Sequence, residues 1–141
     1  MADIRNRELT LADCRFDWVH HGYDKAFEGK ATFSDIDGVV HHEGHFLFVE
    51  LKSLSPEQDI PVLPKGQRGL YEALANQPNT TCLFVAGDMK KSIPYYVEFI
   101  GQDRVLDLRK VDPLLAMRTL RVIFETWFLA TKPLNNQLGE V

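Results

Sequence analysis

Between Phe33 and Leu54 the chain carries two apolar strand-like segments, with Asp37-Gly38 and then Glu50-Leu51-Lys52 at their inner ends. Charges in such positions are costly to desolvate unless they have a partner or a task. The feature therefore restricts both the fold and the chemistry. Ala31 to His41 reads as one strand, His42-Glu43-Gly44 as a turn, and His45 to Ser53 as a second strand. So short a connection predicts an antiparallel hairpin. Phe46-Leu47-Phe48-Val49 does not alternate, which predicts cover on both faces.

The remaining pattern fills in a sheet and its helices. Residues 1–30 have Phe16, Trp18, Val19 and Tyr23 as apolar anchors and Gly22 and Gly29 as breakers, and one helix is expected there. Ser55–Lys65 contains three prolines and reads as a loop. Gly66–Asn76 follows as a helix with Leu70, Ala73 and Leu74 apolar, ended by Gln77-Pro78-Asn79. Thr81–Gly87 is a third strand, Met89–Pro94 a connection, and Tyr95–Ile100 and Arg104–Leu108 are two shorter strands. Asp112 and Pro113 open a last helix that runs to about Ala130. Its apolar stripe is wide, and packing on the sheet is expected, with a second subunit over part of it as the alternative. The order predicts a single α/β domain over residues 1–141, a mixed central sheet of about five strands flanked by helices.

Strand geometry then groups the polar residues. Side chains two apart share a face, so Glu50 goes with Lys52 and Asp35 with Asp37. Pairing the strands brings Asp37 beside Glu50. Two carboxylates so close repel unless a cation lies between them, and a hard cation with oxygen ligands, Mg2+ or Mn2+, suits both. The backbone carbonyl of Leu51 and waters can complete the shell. Such an ion polarises a phosphoryl oxygen and acidifies water, and Lys52 can orient that water or neutralise charge on the phosphate. Gln67 and Tyr71, four apart, share one helix face; Gln67 can reach the ion or a phosphate, with Tyr71 supporting it. Lys65 and Arg68 flank the helix start, where backbone N–H groups favour phosphate. Gly38 allows a bend or close approach of a ligand after Asp37.

Composition sets limits. The net charge of −4 argues against coating nucleic acid by bulk positive charge, though not against an enzyme that acts on it. Cys14 and Cys82 form no metal-ligand spacing and read as buried free thiols. The N-terminus lacks an apolar signal segment and no run reaches membrane-span length, so a cytoplasmic protein without a membrane partner is expected.

Each signal has a plain competitor. Glu50 and Lys52 also suit the wet side of an edge strand, Asp37-Gly38 an ordinary turn, and Gln67 and Tyr71 a common helix surface. His20-His21 and His41-His42-Glu43-Gly44-His45 invite a zinc site, but adjacent strand histidines point to opposite faces. Lys90-Lys91, Arg104, Arg109 and Lys110 read as a phosphate-tracking patch or as solvated surface.

The series Asp37-Gly38, Glu50-x-Lys52 and Gln67-x-x-x-Tyr71 resembles the PD-(D/E)XK nuclease superfamily, and its last element resembles the RecB-like and lambda-exonuclease-like branches. The resemblance spans residues 24–88. It implies a restriction-endonuclease-like core and a Mg2+- or Mn2+-dependent deoxyribonuclease that hydrolyses phosphodiester bonds, of phage or bacterial kind. It also implies Asp37 and Glu50 as metal ligands, Lys52 as catalytic, and Gln67 and Tyr71 as catalytic or accessory. Ile36 stands where many members have proline, and Asp35 is an additional acid. An acidic residue on the first helix is common in the superfamily, and Asp24, Glu28 and Glu8 are the candidates, Glu28 first. So compact a chain points to DNA recognised by shape or ends rather than sequence, with a homo-oligomer or larger protein partner adding grip. The alternative is a catalytically inactive module of the same fold that binds nucleic acid or protein.

Overall fold

The computed structural model describes residues 22–31 and 33–131. The chain divides into two compact units, one ending at Asp35 and one beginning at Ile36. In the first, Tyr23–Phe27 forms a single 3-10 turn bounded by Gly22 and Glu28, both in the left-handed region. Phe27 packs edge-on against Phe33, ring centroids 5.4 Å apart. This turn is what the described residues contain of the helix expected in 1–30. Cys14, Phe16, Trp18, Val19, Glu8 and His20-His21 lie outside the described residues.

The second unit is α/β. Among its described residues are β1 (Gly38–His42), β2 (His45–Ser53), α1 (Lys65–Ala75), β3 (Thr80–Asp88), β4 (Ile93–Phe99), β5 (Arg104–Asp107) and α2 (Pro113–Ala130). The strands form one mixed sheet in the order β1-β2-β3-β4-β5. β2 and β3 run parallel across the α1 crossover, and the other neighbours are antiparallel. The expected hairpin is present. Glu43 and Gly44 both have positive φ, 51° and 79°, the signature of a two-residue type I′ turn whose twist matches the strands it joins.

Two expectations are corrected. The first strand starts at Gly38, not near Ala31. Its end has a local cause: Asp37 Oδ2 accepts the Leu51 N–H at 2.8 Å, so a side chain takes the donor that another backbone rung would have used. The second correction concerns cover. Phe46 is 39% exposed and Phe48 and Val49 are half-buried, because β2 has only the short edge strand β1 on one side. The strand sealed on both faces is β3, where Cys82 to Gly87 are all buried.

β3 divides the core. Cys82, Phe84 and Ala86 point to the α1 side with Leu54, Leu63, Tyr71 and Ile100. Leu83 and Val85 point to the α2 side with Leu47, Val97, Leu108 and Ala116. The helix periodicity works as expected on α2: Leu120, Ile123, Phe124 and Trp127 pack against that second cluster. Asp112 caps α2 by accepting from Leu114 N and Leu115 N, with Pro113 in the first turn. The end of α2 is tied to the hairpin. Thr131 donates its hydroxyl proton to Phe128 O at 2.7 Å, so His42 Nδ1 is the donor in its 2.7 Å bond to Thr131 Oγ1.

Pro94 lies inside β4, opposite Gly87, where the register shifts between Ala86 and Gly87. Proline has no N–H to offer the ladder, and a bulge absorbs that loss. The backbones close in so tightly that a Cβ on Gly87 would stand 2.0 Å from Ile93 O and 2.9 Å from Pro94 Cα. Gly87→Ala therefore forces backbone apart in the sheet centre. A loss of at least about 2 kcal/mol is expected in urea unfolding, against a typical point-mutation loss near 1. An unchanged midpoint would show that the bulge yields freely.

Candidate functional site

The hairpin register sets the geometry. Gly38 pairs with Val49 and Val39 with Phe48, so Asp37, one step before β1, comes beside Glu50. Parallel pairing then puts Glu50 beside Phe84 and Lys52 beside Ala86, on the α1 side of the sheet. The polar group thus sits where α1 covers the sheet.

Glu50 is 3% exposed, a carboxylate among core residues. Its Oε1 accepts the Tyr71 hydroxyl at 2.8 Å, and Lys52 Nζ stands 3.7 Å from Oε2. Burial pushes the Glu50 carboxyl above its ordinary value; the Tyr71 bond opposes this, the nearby Asp37 charge adds to it, Lys52 opposes it, and a hydrogen bond with Asp37 adds again. Tyr71 is fully buried, and burial followed by the Glu50 bond pushes its hydroxyl far up, so it stays a donor. Lys52 keeps about a third of its side chain exposed and can meet a ligand arriving from solvent.

Gln67, one turn before Tyr71 on the same helix face, has a buried Oε1 with no hydrogen-bond partner among the described residues. A buried amide oxygen left so is costly and asks for a donor or a cation. Gly38 is open: a Cβ there would meet only Val49 Cβ, at an ordinary 3.9 Å. Among the described residues no packing requires glycine at that position.

The other predicted residues have different surroundings. Arg68 makes a two-pronged pair with Glu98, at 2.9 and 2.8 Å, and a longer contact of 3.9 Å with Glu72. Its guanidinium is held within the protein, and the Glu98 bonds raise its basicity further. Lys65 is exposed at the first residue of α1. Leu51 meets Asp37 through its amide N–H. Glu28 and Asp35 belong to the first unit; Glu28 pairs with Lys30 at 3.5 Å and Asp35 is exposed.

Glu98 was missed. Register carries the row from Glu50 through Phe84 to Glu98 on one face. The signal was present in Tyr95-Tyr96-Val97-Glu98-Phe99: an acid inside an apolar strand, as at Glu50. Around the hairpin tip, His42 is bonded to Thr131 and packs at a tilt against Phe128, ring centroids 4.5 Å apart, and His41 accepts the Gly44 N–H at 3.3 Å. Among the described residues no three His, Cys, Asp or Glu side chains cluster as a metal set. Among the described residues, a cation at Glu50 would have the Asp37 and Glu50 carboxylates plus neutral oxygens to rest on. Among the described residues no helix is long and apolar enough to cross a membrane.

Comparison of the chain with family models, with curated proteins and with solved structures gives no match.

Proposed function

We propose that this chain is a restriction-endonuclease-like, Mg2+- or Mn2+-dependent nuclease that hydrolyses phosphodiester bonds in DNA. One observation carries the reading: a nearly fully buried Glu50 with Asp37 beside it and the Lys52 ammonium 3.7 Å away. Glu50 is desolvated beside the exposed Asp37 carboxylate, an arrangement that is unfavourable in an unliganded protein. A divalent cation reverses the sign of that energy.

The donor set fits such an ion. Asp37 keeps one oxygen beyond the Leu51 bond, Glu50 offers its carboxylate, and the Leu51 carbonyl and Gln67 Oε1 are neutral hard oxygens of the type Mg2+ accepts. When bound, the ion supplies Lewis acidity toward the phosphoryl oxygen and toward water.

The protein's own residues do the rest. Tyr71 holds Glu50 in one rotamer and cannot compete as an acid. Lys52 places positive charge where a phosphodiester gains negative charge in the transition state, and it orients the attacking water. Lys65 adds an exposed cation at the first residue of α1, beside the first N–H groups of that helix. Gly38 leaves backbone accessible next to Asp37, where a sugar-phosphate chain can approach.

The test is direct. Plasmid, linear and single-stranded DNA are incubated with Mg2+, with Mn2+ and with EDTA, beside Asp37→Ala. Metal-dependent cutting that EDTA stops, and that falls at least about a hundredfold in the variant, is expected. Equal cutting by the variant would assign the activity to a contaminant. No cutting on any substrate, with DNA still retarded in a gel, would favour a binding module.

A further inference from the structure

The outer face of α2 is unusually apolar for a helix already packed on its other side. Leu115, Val122 and Leu129 are 52%, 49% and 57% exposed. They recur every seven residues and so fall on one line along the helix. Between them, three residues on from Leu115 and from Val122, stand Arg118 and Glu125, both exposed. The seam therefore reads Leu, Arg, Val, Glu, Leu. Reversed, it reads Leu, Glu, Val, Arg, Leu.

That order is self-complementary for two helices running in opposite directions. A two-fold axis at Val122 sets Val122 against its own copy and Leu115 against Leu129 of the second copy. The same axis sets Arg118 level with Thr126 of the second copy, one residue or about 1.5 Å from Glu125 and within reach of its carboxylate, and symmetry repeats the contact. A parallel alignment would instead oppose Arg118 to Arg118 and Glu125 to Glu125, which is repulsive. Isologous contacts require such self-complementarity. We propose that the outer face of α2 joins two copies of this chain in an antiparallel, two-fold helix pair centred on Val122.

Charge at the seam supports the register. Within the helix, Arg121 Nε pairs with Glu125 Oε2 at 3.1 Å, which leaves Oε1 to accept from Arg118 of the second copy. The seam is about 21 Å long at 1.5 Å per residue. One helix pair buries less than the roughly 800 Å² per partner of a stable complex, so the association depends on concentration. It is independent of the nuclease reading. α2 covers the sheet face opposite the one that carries Glu50 and Tyr71, so pairing leaves both candidate sites uncovered.

Sedimentation velocity over a series from about 1 to 300 μM, a range that brackets a micromolar Kd, tests this on the full chain. The mass is expected to climb from 16.1 kDa toward twice that value. Arg118→Glu and Glu125→Arg should each weaken association at least about tenfold, and the double variant should restore it. Circular dichroism confirms that the exposed substitutions leave the fold intact. A monomer at every concentration overturns the proposal. So does association that neither single reversal weakens, and so does a double variant no stronger than the singles.

Discussion

Replacing Lys52 with alanine is expected to lower the cleavage rate by about a hundred- to ten-thousand-fold while DNA binding changes little. The reason is where the ammonium stands. It lies 3.7 Å from Glu50 Oε2 and keeps a third of its side chain open to solvent, so it is anchored at one end and available at the other. Charge on a phosphodiester grows only as the bond breaks, and a cation matched to that growth acts on kcat rather than on KM. Folding should be nearly indifferent, because a partly exposed cation contributes little to stability. A second readout follows from sign. Lys52 favours the ionised form of Glu50, so its removal moves the acid limb of residual activity to higher pH. Single-turnover cleavage of linear DNA across pH gives both numbers. A raised KM at unchanged kcat would reduce Lys52 to a phosphate anchor, and an unchanged rate would remove it from the chemistry.

Glu50→Gln should separate stability from function. In the fold this carboxyl is harder to ionise than in the unfolded chain, first through burial and then through Asp37. A group raised in this way contributes most below its unfolded value, and the contribution is lost as pH rises through the folded value. Metal-free protein should therefore weaken between mildly acidic and neutral pH. Glutamine keeps an oxygen for the Tyr71 hydroxyl and removes the charge. The variant should be more stable than the parent at neutral pH by about 1 kcal/mol, as often happens when a buried charge is neutralised in place. It should also lose the upward thermal shift that Mn2+ gives the parent, together with DNA cutting. Melts with EDTA and with Mn2+, from about pH 4 to 8, decide the matter. A variant destabilised at neutral pH in EDTA would mean that Lys52 and Tyr71 more than offset the burial of the charge.

How far the sequence disclosed this arrangement depends on the range of the interactions involved. The hairpin, α1, β3 and the capped start of α2 are local: a two-residue turn, a 3.6-residue period, an unbroken apolar run and an Asp-Pro cap. All are present. The pairing of Asp37 with Glu50 follows from the hairpin register alone, which is why it was legible. The start of β1 was not, because it depends on a side chain that captures a backbone donor fourteen residues away. Met89–Pro94 reads as a connection, yet β4 already begins at Ile93 and includes Pro94, which the Gly87 bulge opposite makes admissible. Arg68 reads as a phosphate ligand by position, yet Glu98, thirty residues on, claims its guanidinium. Cover for Phe46–Val49 was misjudged for a similar reason: an apolar run cannot reveal how short its neighbour will be.

The doubly sealed central strand has a consequence for one atom. Cys82 is wholly buried, and burial pushes its thiol up to about 11. A thiolate, the form that reacts, is scarce there, and no reagent can reach the sulfur while both helices stay seated. Alkylation at this position therefore waits for the sheet to part, and its rate reports how often the whole unit opens. The molecule carries its own gauge of global opening at its centre.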